Sequence, residues 1–97
     1  MRPKKTRWVM CKPKERCFRP QCKKNKELEG VSLTLDEFEA IRLADLECLT
    51  QAQVARHMRV HRSTVSRIIA SAHKKIGDAL VNIKAIRIEG GCCKVKE

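Results

Sequence analysis

His57 and His61 stand four residues apart in the stretch H-M-R-V-H-R-S-T-V-S-R-I, residues 57–68. On one continuous helix that spacing places two imidazoles on the same face, an arrangement a zinc site can use. Six cysteines supply further soft ligands: Cys11, Cys17, Cys22, Cys48, Cys92 and Cys93. None of them forms a C-x2-C pair, so the strongest zinc signature is missing. Pairing of strands near the two ends would carry Cys92 or Cys93 towards Cys11, with Cys17 and Cys22 on the loop between. Those five thiols are the candidate ligands for zinc or an iron–sulfur cluster. Reduced structural thiols and disulfides stay open beside that reading, and the pattern demands no cofactor. Cys48 closes an apolar run and is expected as a small buried hydrophobe.

The same stretch carries a second chemistry. Arg62 and Arg67 can fork onto guanine O6 and N7, while Ser63 and Ser66 can donate or accept at a base edge. His61 would open the helix that bears them, and Thr64 would sit at its rim or brace the turn. Lys74 and Lys75, further along, are placed on phosphates. Thr50, Gln51 and the first N–H groups of the preceding helix can grip another phosphate.

These side chains need elements to hold them. Thr34 with Glu37 forms a capping box ahead of Leu35, Phe38, Ile41 and Ala44 at helical spacing, with Leu46 closing the run. That predicts a first helix over about 35–47. Thr50 with Gln53 repeats the box and opens a second helix over about 51–58. A third begins near Arg62, and its apolar stripe runs through Val65, Ile68, Ile69, Ala72, Ile76, Ala79 and Leu80. Gly77 is an interior weakness in it, not a stop. Lys84–Glu89 reads as a short strand ended by Gly90-Gly91, and residues 7–11 are its expected partner. Residues 1–30 are then a basic arm rich in Cys and Pro with one strand, and residues 31–97 a helix-turn-helix domain with a C-terminal strand. The expected fold is mainly α, a three-helix helix-turn-helix core with short N- and C-terminal β-strands.

A helix-turn-helix must bury facing stripes while its last helix exposes an N-terminal half to a major groove. The inward positions here are Val54, Met58, Val60, Val65 and Ile68, all apolar, and Ala55 falls where the helices come closest. The turn calls for positive φ at Arg59, which costs a non-glycine residue on the order of 1 kcal/mol. It also adds a cation beside the DNA backbone. Such a turn breaks the helix between His57 and His61, so they need not share a face. The zinc-finger alternative fails as well, because Cys22 is far further from the histidines than the roughly twelve residues such a finger spans.

Charge is segregated along the 97 residues, whose net charge is +11. Residues 1–26 hold eleven Lys/Arg against Glu15, residues 27–48 hold Arg42 against seven acids, and residues 49–97 hold ten basic against three acidic side chains. Such clustering points to a polyanion. Arg2, Lys4, Lys5 and Arg7 could follow a minor groove or phosphates. Aromatics make up only 3% of the chain, which argues against stacking on single-stranded RNA. No apolar run reaches membrane-span length, and MRPKKTRW has no hydrophobic signal region, so a cytoplasmic protein with no membrane partner is expected. No activated nucleophile or carboxylate constellation suggests an enzyme. Double-stranded DNA is the expected partner, with a homodimer as a route to specificity. A metal- or redox-sensing protein built on the cysteines is the alternative.

L-T-L-D-E-F-E-A-I-R-L-A-D-L-E (33–47), the region after it, and A-L-V-N-I-K-A-I-R-I-E-G-G (79–91) resemble a small uncharacterised prokaryotic family of predicted DNA-binding proteins. Its helix-turn-helix is similar to sigma factor region four, and its members start with an R-P-x-K-type arm, here Arg2-Pro3-Lys4-Lys5. The resemblance implies DNA binding and transcription regulation. It covers nearly the whole chain. This sequence departs from it at Cys48, where members often carry Gly, and at His61, where they often carry Ser.

Overall fold

The computed structural model describes residues 7–9, 17–22, 28–90 and 93–95, with side chains over 17–22 and 28–90. The described chain is mostly helical. Helix α1 (Leu35–Ile41) runs into a π-helical turn at Arg42–Leu46, and α2 (Gln51–Met58) and α3 (Arg62–Asn82) follow. The strands are β1 (Arg7–Val9), β2 (Cys17–Phe18), β3 (Gly30–Leu33), β4 (Ala85–Ile88) and β5 (Cys93–Val95).

Both predicted capping boxes form. The Glu37 N–H donates to Thr34 Oγ1 at 3.4 Å and the Thr34 N–H to Glu37 Oε1 at 2.9 Å. The Gln53 N–H donates to Thr50 Oγ1 at 3.2 Å and the Thr50 N–H to Gln53 Oε1 at 2.9 Å. Each pair satisfies two donors that a helix start would otherwise leave open.

Ala40, Leu43, Val54, Ala55, Met58, Val65, Ile68 and Ile69 form one core cluster among the three helices. A second cluster, Leu33, Ala72 and Ile88 with Leu35, Phe38, Ile41 and Ile86 beside it, seats α1 and α3 on the sheet. In that sheet β4 is central, with β3 parallel on one side and β2 antiparallel on the other. Parallel β3 and β4 need a crossover, and the three helices provide it.

The expected pairing of residues 7–11 with 84–89 is corrected: β1 pairs in parallel with β5, and β4 pairs with β3 and β2. The cause is β3, a strand not foreseen. Its Val31 and Leu33 alternate with Ser32, so Leu33 is buried opposite the buried Ile88.

The first helix is also corrected. The Glu47 N–H reaches the Arg42 carbonyl at 2.9 Å, an i→i+5 closure. That wider turn rotates the following face, so Leu46 is 74% exposed instead of closing the core run. Leu80, expected in the α3 stripe, is 71% exposed, while its neighbour Ala79 is buried. Cys48, expected buried, is exposed with φ 59°: it ends the first helical segment in the left-handed region. Arg59 at φ 56° and Ile83 at φ 55° end α2 and α3 in the same way. All three helical segments thus stop on a left-handed residue that is not glycine.

Glu37 joins α1 to α3. Its carboxylate is buried, accepts a hydrogen bond from Ser71 Oγ, and meets Lys75 Nζ at 2.7 Å. Burial pushes its pKa up, but hydrogen bonds from Lys75, Ser71 and Thr34 outweigh that and hold it below the ordinary 4.5. Glu39, with no exposed surface, is gripped by Arg42 Nε at 2.7 Å and Nη2 at 3.2 Å.

Two predictions follow from these positions. Cys48→Gly removes the left-handed strain and should stabilise the protein by about 1 kcal/mol. Gly77→Ala, where an added Cβ meets nothing within 4 Å, should gain a similar amount, about 1 kcal/mol. Urea unfolding should show raised midpoints at unchanged m; a lowered midpoint for either would show that its site is constrained by something else. The second concerns acid. Glu37 has a folded pKa below its unfolded value, so its contribution is complete above about 4.5 and fades as pH falls through the folded value. Glu37→Gln should therefore cost about 1–3 kcal/mol near neutrality, with the gap to wild type closing in acid. A gap that does not change with pH would show that the charge contributes nothing.

Candidate nucleic-acid interface

Helices α2 and α3 are joined by Arg59, Val60 and His61 alone. The Val60 N–H donates to the Ala55 carbonyl at 3.0 Å and the Arg59 N–H to that of Arg56 at 3.3 Å. The Val60 bond depends on Arg59 adopting φ 56°, ψ 47°, the conformation the sequence called for there. Val60 then folds back onto the core. Val54, Met58 and Val65 have no exposed surface, and Ala55 and Ile68 are buried beside them.

Commitment of those residues inward decides the outward face. Arg62, Ser63, Ser66, Arg67, Ala70 and Lys74 are all exposed along α3, and His61 is exposed at its start. Thr64 is half-buried at the rim. His61 caps α3 without a side-chain hydrogen bond, leaving the first N–H groups of the helix uncovered by it. Gln51, the first residue of α2, accepts a hydrogen bond from Ser66 Oγ at 2.6 Å and ties the start of α2 to the middle of that face. Thr50, just before it, is exposed.

Lys75, expected on a phosphate, has its ammonium against the buried Glu37 carboxylate at 2.7 Å, which repays the cost of burying that charge. Arg2, Lys4 and Lys5 lie outside the described residues. Sequence reasoning missed two features. Arg56 is exposed on α2, and its place two residues from both Val54 and Met58 was a legible sign that it points away from the core. His73 Nε2 meets Asp45 Oδ2 at 2.8 Å, securing α3 to the turn after α1, and no local pattern announces a contact of that separation.

The stretch of chain that carries this face is uniformly basic. Between Glu47 and Asp78 the chain has no Asp or Glu, while Arg56, Arg59, Arg62, Arg67, Lys74 and Lys75 fall inside that interval. Asp78 is itself occupied: hydrogen bonds from Asn82 at 2.6 Å and Lys84 at 3.0 Å hold its carboxyl below the ordinary value. Asp78 in turn raises the pKa of Lys84.

A metal centre gains no support among the described residues, where no three His, Cys, Asp or Glu side chains come together. His57 lies on α2 and His61 opens α3, with left-handed Arg59 between them. Cys17 and Cys22 are exposed free thiols. Cys11, Cys92 and the side chain of Cys93 lie outside the described residues. No described helix is long and apolar enough to cross a membrane.

Relatives share this sequence closely. A UPF0251 protein of Prosthecochloris aestuarii is 50% identical over 96 residues, which are 99% of this chain and 62% of that protein. A second, from Caldanaerobacter subterraneus subsp. tengcongensis, is 54% identical over 94 residues, 97% of this chain and 80% of its own length. A third, from Methanosarcina mazei, is 48% identical over 91 residues, 94% of this chain and 56% of its own. The chain thus spans between roughly half and four-fifths of the length of these three relatives. No solved structure matches it. The family described as "Protein of unknown function DUF134" matches residues 1–96, and the chain belongs to that family.

Proposed function

We propose that this protein binds double-stranded DNA through a helix-turn-helix, with α3 entering the major groove, and that it acts as a transcriptional regulator. One observation carries the reading. The α2–turn–α3 unit buries Val54, Ala55, Met58, Val65 and Ile68, and so leaves Arg62, Ser63, Ser66 and Arg67 exposed together on a stretch of chain that contains no acids. A helix with one buried stripe and an opposite row of Arg and Ser suits a groove lined by acceptors and flanked by phosphates.

The roles divide by position. Arg62, Ser63, Ser66 and Arg67, in the first two turns of α3, read base edges, with His61 and Thr64 at the entry. Thr50, Gln51 and Arg59 flank the turn and grip phosphates, as do Arg56 and Lys74. Arg2, Lys4 and Lys5 on the arm add affinity without sequence information.

Enrichment from random duplexes at controlled salt, using wild type, Arg62→Ala/Arg67→Ala and Lys74→Ala, tests this. Wild type should select a motif. Each arginine removed should cost about 1–3 kcal/mol on that motif and relax it at one position. Lys74→Ala should weaken all sequences alike and reduce the salt slope by about one. If no motif is selected, or the double variant selects the same motif as wild type, the proposal is wrong.

A further inference from the structure

The DNA-binding reading leaves open what each outward side chain demands of a base, and one hydrogen bond answers that for Ser66. This inference rests on that reading. Ser66 Oγ donates to Gln51 Oε1 at 2.6 Å. A serine hydroxyl has one proton and two lone pairs. With its proton committed to Gln51, the exposed oxygen can offer only lone pairs to whatever docks on α3. We propose that Ser66 is a specificity-determining acceptor that selects adenine or cytosine over guanine or thymine at one position of the contacted strand, and that Gln51 is the residue that fixes its polarity.

Base-edge chemistry makes that selection. In the major groove adenine shows the N6 amino group and cytosine the N4 amino group, both donors. Guanine shows N7 and O6 and thymine O4, which are acceptors only. An oxygen whose proton is already engaged would face them lone pair to lone pair. Every base pair has a single major-groove amino group, so the choice is one of strand: the amino base must lie on the strand that Ser66 touches.

Gln51 is well placed to hold this polarity. It follows Thr50 directly, and the Thr50–Gln53 box fixes the backbone on which it stands. It is half-buried, unlike Ser66. Its Nε2 has no partner among the described residues, so the amide turns its acceptor to Ser66 and keeps two N–H donors for a phosphate. Gln51 thus serves as both a phosphate ligand and a brace for the base contact.

Enrichment from random duplexes with the full chain tests the assignment, comparing wild type, Ser66→Ala, Gln51→Leu and Gln51→Glu. Helical circular dichroism should be unchanged in each. Wild type should show one position restricted to adenine or cytosine. Ser66→Ala should lose that restriction alone and bind the wild-type site on the order of fivefold more weakly. Gln51→Leu frees the hydroxyl proton and should admit guanine and thymine at the same position. Gln51→Glu retains the acceptor, so the base choice should persist while affinity falls for all sequences through added negative charge. A motif unchanged by Ser66→Ala or by Gln51→Leu overturns the assignment alone, as does a restriction to guanine or thymine at that position. Failure of wild type to enrich any motif removes the DNA-binding reading and the assignment with it.

Discussion

The mutual burial of α2 and α3 is the constraint on which the rest depends. Val54 and Met58 on one helix and Val65 on the other are sealed completely, with Ala55 small enough to let the helices approach. Each such aliphatic side chain contributes about 1.5–3 kcal/mol by leaving water. Those gains hold the left-handed Arg59 in place, against a cost of about 1–2 kcal/mol for an L residue there. The outward face is a consequence: with one stripe of the helix fixed inward, the polar remainder has no freedom of orientation. The candidate interface is therefore set by apolar packing before any of its own residues is considered.

That dependence explains which parts were legible in the sequence. Capping boxes at Thr34 and Thr50 were visible because they are local, and the boundaries of α2 followed from them. The α3 stripe was visible because it repeats over several turns. Arg59 could be assigned positive φ from the turn geometry alone. Strand β3 was not visible: four residues give too little alternation, and its evidence lies in Ile88, more than fifty residues away. The π-helical turn was equally hidden, since Leu46 fits an α-helical period and only the Glu47–Arg42 hydrogen bond shows the wider closure. Cys48 was misread for the same reason: a residue rotated past a π turn no longer follows the apolar run before it.

Charge follows the same pattern of local legibility and distant surprise. The segregation of acids into residues 27–48 and cations elsewhere is plain from the sequence. Where those charges point is not. Glu37 is legible in the sequence only as half of a local capping box, yet it, Asp36 and Glu39 are all buried. Strand β1, from the basic arm, lies beside both α1 and α2. Glu37 of α1 is engaged with Ser71 and Lys75 of α3, and Glu39 with Arg42. Acids placed on the exposed face of α3 would weaken any attraction its arginines have for a polyanion.

Helix α3 consequently has two different halves. From Ser71 onwards, Lys74 apart, the polar side chains named above are engaged: Ser71 and Lys75 with Glu37, His73 with Asp45, Asp78 with Lys84, and Asn82 with Asp78 along the helix itself. Before Ser71, none of Arg62, Ser63 and Arg67 has a side-chain partner among the described residues, and Ser66 bonds only across the turn to Gln51. The helix is about 31 Å long, so a clamped segment of roughly half that length holds the remainder rigid while leaving its polar groups unspent. Groups kept unbonded on a rigid support need little reorganisation when a partner arrives, and an interface so prepared loses less side-chain entropy on binding. A solvated helix face of no consequence would have no need of that division, because its polar residues could be satisfied evenly along the length. The concentration of anchoring in one half and of unengaged arginine and serine in the other is what makes the first two turns of α3 the place to look for recognition.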